Sequence, residues 1–181
     1  METKPKVVVT GVTGNVASWV TKMLLDQGKF SVRGTVRTPT DEKTISHLKE
    51  AFGEKYSELE VVYADLTDEK SLFDAIKGCT YVFHIASIVT QEVPKEENEL
   101  IVPIVNGVTF VMKAAIANGV KRVIFTSSTY CVSTHDGTPS VDETVWPDKY
   151  DSTLCKAKNL AEKTIWEFHE KNKGKIEAVA L

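Results

Sequence analysis

The chain has 181 residues, with 22 Lys and Arg against 25 Asp and Glu for a net charge of −3. That length holds one domain with a core of its own, and the slightly acidic balance offers no basic field for nucleic acid. No apolar stretch reads as long enough to span a bilayer, the charged start Met1-Glu2-Thr3-Lys4-Pro5-Lys6 lacks a secretory apolar run, and the widely spaced Cys79, Cys131 and Cys155 read as reduced thiols of a cytoplasmic protein.

The β-branched run at 6–10 reads as a buried strand. Val16, Val20, Met23 and Leu24 recur at helical spacing, which predicts a helix over 15–27. Between the two lies Gly11-Val12-Thr13-Gly14-Asn15-Val16-Ala17. Gly11 and Gly14 carry no Cβ, so the backbone can turn sharply and approach a ligand closely. The amides that open the helix lack intrahelical partners and, with the helix dipole, suit a pyrophosphate. Ala17 takes the third small position, where helix and strand pack closely.

Further strands are expected at 30–36, 59–64, 81–85, 122–126 and 176–181, and further helices at 41–51, 68–76, 97–118 and 152–171. This alternation predicts an α/β fold: right-handed βαβ units forming a doubly wound parallel Rossmann sheet, strand order 3-2-1-4-5-6, in one NAD(P)-binding domain over 1–181. Pro103 should bend its helix or delay the first turn. Gly28, Gly53, Gly78, Gly119 and Gly174 fall where C-terminal caps belong. The charged stretch 91–99 reads as a solvated loop.

The second strand bears on cofactor choice. In this fold an acidic residue about 20 positions past the glycine turn holds the ribose 2′-hydroxyl of NAD. Here Arg37 stands there, at the end of Val32-Arg33-Gly34-Thr35-Val36-Arg37. A guanidinium pairs with a 2′-phosphate that a carboxylate would repel, so the expected cofactor is NADP(H), with Lys43 assisting. Asp65, in Ala64-Asp65-Leu66, is placed for the adenine amino group or for capping the next helix.

Several segments together carry a family likeness. They are 32–37, 64–66, Gly78-Cys79-Thr80-Tyr81-Val82-Phe83-His84-Ile85-Ala86-Ser87, Val120-Lys121-Arg122-Val123-Ile124-Phe125-Thr126-Ser127-Ser128, Val141-Asp142-Glu143 with Trp146, and Asn159-Leu160-Ala161-Glu162-Lys163 with Trp166. In order and spacing they resemble the extended short-chain dehydrogenase/reductases of the NAD-dependent epimerase/dehydratase superfamily. The likeness is to the dihydroflavonol-4-reductase-like branch, with its cinnamoyl-CoA and anthocyanidin reductase relatives. The resemblance implies an NADP-dependent oxidoreductase that reduces a small-molecule carbonyl by hydride transfer, using a Ser, a Tyr and a Lys. It implies cofactor contacts at Gly11, Thr13, Gly14, Asn15, Val16, Arg37, Lys43, Asp65, Leu66, Ala86 and Lys158. His84–Ser87 would line the groove through their backbone, with the imidazole in the core. Ser128 matches the catalytic serine, with Ser127 as the near alternative, and Lys158 matches the lysine.

Two features depart from the pattern. The tyrosine position, four before Lys158, is Leu154; Tyr150 and Tyr130 are the other phenols near the site in sequence. Residues 175–181 match the start of the family's sixth strand, and the lobe that shapes its substrate pocket is not among these residues. Catalysis is therefore expected to be impaired. The alternatives are a non-catalytic NADP-binding or interaction protein and a fragment of a longer reductase. Helices 97–118 and 152–171 carry Ile101, Val105, Val108, Met112, Leu160, Ile165 and Phe168, and the matching pair in the family often forms a homodimer face. A bare final strand and uncovered apolar surface add to the expectation of self-association.

Overall fold

The computed structural model describes residues 3–88, 94–131, 142–147 and 149–181, and of Tyr130 the backbone only. Residues 91–93 of the expected loop and Val141 of the family likeness lie outside the described residues.

Six strands, β1 (Lys6–Val9), β2 (Ser31–Val36), β3 (Leu59–Tyr63), β4 (Tyr81–His84), β5 (Arg122–Phe125) and β6 (Glu177–Ala180), form one sheet in the order β3-β2-β1-β4-β5-β6. Every neighbouring pair is parallel, as expected from the strand–helix alternation. Among the described residues five helices cross between them: α1 (Asn15–Gln27), α2 (Glu42–Phe52), α3 (Glu69–Ile76), α4 (Asn98–Ala117) and α5 (Thr153–Lys171). A 3-10 segment at Gly53–Glu58, which sequence periodicity did not mark, joins α2 to β3.

The unbroken valine run of β1 follows from burial on both faces. Val8 joins the core beneath α3, α4 and α5, while Val7 and Val9 join the one beneath α1 and α2. With no polar alternation to mark their ends, the strands were expected too long. Thr10, Ala64, Ile85, Thr126 and Leu181 lie just past the last paired residue, and the first four line the carboxyl edge of the sheet. All five expected cap glycines take positive φ.

For α4, the structure excludes a first turn delayed to Pro103, and the reading that no stretch is long and apolar enough for a bilayer needs correction. The helix runs unbroken through Pro103 and begins before it, at Asn98. The missing proline N–H costs the carbonyl four residues earlier its usual donor, without ending the helix. At 20 residues α4 is also long and apolar enough, by length and composition, to cross a membrane. Here it is the central core helix, with Leu100, Ile104, Val108, Val111 and Met112 buried. Ile101 and Ile165 are likewise buried in this core, and Val105, Leu160 and Phe168 pack against it.

Candidate functional site

The site is built where β1 and β4 part, at the point where the strand order reverses and open α/β sheets bind their ligands. Thr10 organises it. Its backbone N–H donates to the Phe83 carbonyl at 2.9 Å, and its Oγ1 accepts from the amides of Ile85 at 3.0 Å and Ala86 at 2.9 Å. A hydroxyl has two acceptor lone pairs and one proton, so the proton is left for His84 Nδ1, 3.1 Å away. This assigns His84 the neutral tautomer with its hydrogen on Nε2. Burial, with the nearby Lys158 charge, pushes the imidazole pKa down to about 3. His84 is a core group, as the sequence suggested.

Gly11 has φ +72°, and a Cβ there would meet Ala86 Cβ at 3.0 Å, so only glycine lets this turn lie against the end of β4. The turn is tied to β2 by Thr35, whose Oγ1 accepts from Gly11 N at 3.0 Å and whose carbonyl accepts from Val12 N at 3.1 Å. Gly14 N donates to the Gly11 carbonyl at 2.9 Å. At the amino end of α1, Gly14 supplies no side-chain cap and no acidic residue follows in the first turn. By contrast, Asp41, Asp68 and Ser152 cap α2, α3 and α5. The opening amides of α1 are thus free of side-chain competition and suit an anion.

A cleft of about 700 Å3 runs along this edge. Gly11, Thr13, Gly14, Asn15, Val16, Arg37, Asp65, Leu66, Ala86 and Lys158, all singled out from sequence, line it together. Lys43 does not; it is exposed in the first turn of α2. Thr10, Thr35, Ser87 and Thr126 line the cleft as well, and no motif had marked their side chains. Ser87 Oγ is buried with no hydrogen-bond partner among the described residues, an orphan that a bound ligand would satisfy.

Charge is distributed unevenly along the cleft. Arg37 is exposed at the end of β2 with no hydrogen-bond or ion-pair partner among the described residues. Hydrogen bonds from the Thr67 hydroxyl and amide, at 2.6 and 2.8 Å, hold the Asp65 carboxyl below the usual carboxylate range, and the Arg37 guanidinium adds to this. Asp65 does not cap α3; Asp68 does, accepting from Ser71 N at 3.1 Å. At the other end Lys158 is half-buried on α5, its Nζ 6.0 Å from the centre of the Phe125 ring. Burial draws its pKa below the ordinary lysine value. It too has no hydrogen-bond or ion-pair partner among the described residues.

The groups expected near the reacting carbonyl are arranged differently. Ser127 donates a short hydrogen bond to the buried carboxylate of Glu162, which also accepts from Trp166 Nε1 at 3.1 Å. Its hydroxyl is therefore committed to α5. Ser128, the next residue, is half-buried and stands outside the residues lining the cleft; its carbonyl accepts from Cys131 N at 2.9 Å. Tyr150 donates its phenol to Asn159 Oδ1 at 3.0 Å, and Asn159 donates onward to the Cys131 carbonyl at 2.9 Å. Leu154 packs against the core. The side chain of Tyr130 lies outside the described residues.

The comparisons with known proteins agree with this fold. The model of the 3-beta hydroxysteroid dehydrogenase/isomerase family matches residues 8–181. An anthocyanidin reductase ((2S)-flavan-3-ol-forming) of Vitis vinifera is 43% identical over 181 residues, covering 93% of this chain and 53% of that protein. Cinnamoyl-CoA reductase 2 of Arabidopsis thaliana is 43% identical over 169 residues, covering 89% and 49%. Among solved structures, yeast methylglyoxal/isovaleraldehyde reductase complexed with NADPH superposes with a TM-score of 0.82 at 26% identity, covering 97% of this chain and 56% of that one. Vestitone reductase from alfalfa gives 0.75 at 32% identity, covering 98% and 56%. The chain spans about half the length of the curated relatives it matches. It belongs to the 3-beta hydroxysteroid dehydrogenase/isomerase family, as an extended short-chain dehydrogenase/reductase homologous to the NADPH-dependent dihydroflavonol, cinnamoyl-CoA and anthocyanidin reductases.

Proposed function

We propose that this chain binds NADP(H) in the β1–β4 cleft and forms the cofactor-holding part of a reductase acting on small carbonyl compounds. One observation carries the reading: a single cleft joins the amino end of α1, which has no side-chain cap, to two cations, Arg37 and Lys158, without a hydrogen-bond or ion-pair partner among the described residues. The opening amides of α1, with Thr13 and Asn15, hold the pyrophosphate. Arg37 pairs with the 2′-phosphate, and Asp65 and Leu66 receive the adenine. Ala86 offers its backbone, Ser87 its orphan hydroxyl and Lys158 its ammonium to the nicotinamide ribose. The bound nicotinamide supplies a hydride to a carbonyl carbon. Ser128 is assigned to the carbonyl oxygen.

A second reading, that the chain binds NADP(H) without reducing anything, is favoured by the proton supply. Leu154 occupies the tyrosine position, and the Tyr150 phenol is spent on Asn159. Titration of the chain with NADPH and NADH tests the part the two readings share. NADPH is expected to bind more tightly, and Arg37→Asp to narrow or reverse the preference. Equal affinities for the two nucleotides in the parent protein would remove Arg37 from its role.

A further inference from the structure

Lys158 reaches the cleft from α5, and behind it stands a buried carboxylate that the cleft does not use. Glu162 lies one turn beyond Lys158 on the same side of the helix, is 8% exposed and does not line the cleft. Burying a carboxylate is costly unless its oxygens are satisfied. Here both are, Oε2 accepting from Ser127 Oγ and Oε1 from Trp166 Nε1 at 3.1 Å. The residue type follows from these partners. The indole can only donate. Ser127 has one proton to give, and the charged carboxylate is a stronger acceptor for it than Cys131 Sγ, 3.2 Å away. Only a carboxylate accepts at both ends; a glutamine would turn its NH2 towards one of the two.

Two hydrogen bonds among the described residues join α5 to the segment just past β5. One runs from Ser127 to Glu162, the other from Asn159 to the Cys131 carbonyl. Around them α5 packs on the core through the buried Ala157, Ala161 and Ile165. Apolar burial is non-directional, so the two hydrogen bonds set the rotation of the helix about its axis. Lys158 is next to Asn159 in sequence and one turn from Glu162. The same rotation therefore sets where its ammonium enters the cleft.

We propose that Glu162 is a positioning residue of the cofactor site: by holding Ser127 it aims Lys158 at the nicotinamide ribose. The inference rests on the cofactor reading above and deepens it. Glu162 touches no nucleotide; it acts through the helix that carries Lys158. Ser127, whose hydroxyl is committed to this tie, belongs to the same device.

NADPH titration of the 181-residue chain and its variants tests this. Ser127→Ala and Glu162→Gln should each weaken NADPH binding about tenfold, within the range for residues of one hydrogen-bond network. In a Lys158→Met background the same changes should cost less than about twofold, because the group they aim is gone. Trp166→Phe removes the other donor to Glu162 and leaves the Ser127 bond. It should lower the denaturation midpoint and keep NADPH affinity within about twofold of the parent. A purely structural carboxylate would instead make affinity follow stability in all three variants. Ser127→Ala carries the test alone if Glu162→Gln does not fold. Parental affinity in Ser127→Ala, an undiminished loss in the Lys158→Met background, or a loss in Trp166→Phe as large as in Ser127→Ala would each overturn the proposal. These outcomes leave the cofactor reading standing, whereas a parent chain that binds no NADPH would overturn both.

Discussion

The Thr10 hydroxyl donates to Nδ1 of His84 while accepting from two amides of the same strand end, so one side chain joins the carboxyl edges of β1 and β4. Thr10→Val keeps the shape and removes all three bonds. The amides of Ile85 and Ala86 and the His84 nitrogen then lose their partner. Unsatisfied buried groups cost roughly 1–3 kcal/mol each, so chemical denaturation should show a loss of about 3 kcal/mol or more, and NADPH affinity should fall with it. Thr10→Ser should recover most of both. Equal stability of the Val variant and the parent would contradict the assigned bonding.

His84 also sets a pH dependence. Its pKa is about 3 in the folded chain against an ordinary value of 6.5. Between those limits the unfolded chain takes up a proton that the folded chain refuses. Stability therefore falls as pH drops below about 6.5, by at most about 1.4 kcal/mol per unit. The lowered carboxyls of Asp65 and Glu60 lose their contributions only lower, in the carboxylate range, so the window from about 5 to 6.5 isolates the imidazole. In His84→Gln the side-chain carbonyl can still accept from Thr10. That variant should lose about 2 kcal/mol less than the parent between neutrality and pH 5. Parallel stability curves for the two proteins would exclude a buried, neutral His84.

Much of this was legible in the sequence, and the exceptions have a common cause. The sheet order follows from strand–helix alternation, and the glycine turn from Gly11 and Gly14 at a strand–helix junction. Local pattern sufficed for both. Thr10 and Thr35 read only as β-formers, because the groups they bind lie 75 and 24 residues away. Ser127 could not be told from Ser128, since its capture depends on Glu162, 35 residues further on. Lys43 stands at the start of α2, as the pattern after β2 suggested, though it does not line the cleft.

A glycine inside α4 shapes the cleft from behind. A Cβ on Gly107 would meet Leu66 Cβ and Cδ2 at 3.2 Å, and Leu66 lines the cleft. Two effects oppose each other in Gly107→Ala. Helix propensity favours alanine by about 1 kcal/mol, while Leu66 must give way by a few tenths of an ångström. Leu66 is half-buried and can move into the cleft, so thermal stability should change little and NADPH affinity should drop. Unaltered affinity would show that Leu66 does not touch the nucleotide.

Catalysis is where family likeness and residues diverge. Hydride transfer leaves an oxyanion that needs a proton, and a positioned general acid contributes about 10²–10⁴ in rate, or roughly 3–5 kcal/mol. Leu154 has no proton to give, and the Tyr150 phenol points to Asn159 at 3.0 Å. The 181-residue chain is therefore expected to bind NADPH and to reduce carbonyl compounds very slowly. Leu154→Tyr restores a phenol one helical turn before Lys158, but it should recover little. Orientation of the substrate supplies several kcal/mol of its own, and these residues span about half the length of the reductases they match. The measurement is an NADPH titration beside a carbonyl-substrate screen on the parent, Leu154→Tyr and Tyr150→Phe. Brisk turnover by the parent would defeat the expectation, and its loss in Tyr150→Phe would identify Tyr150 as the acid, released from Asn159 when substrate binds.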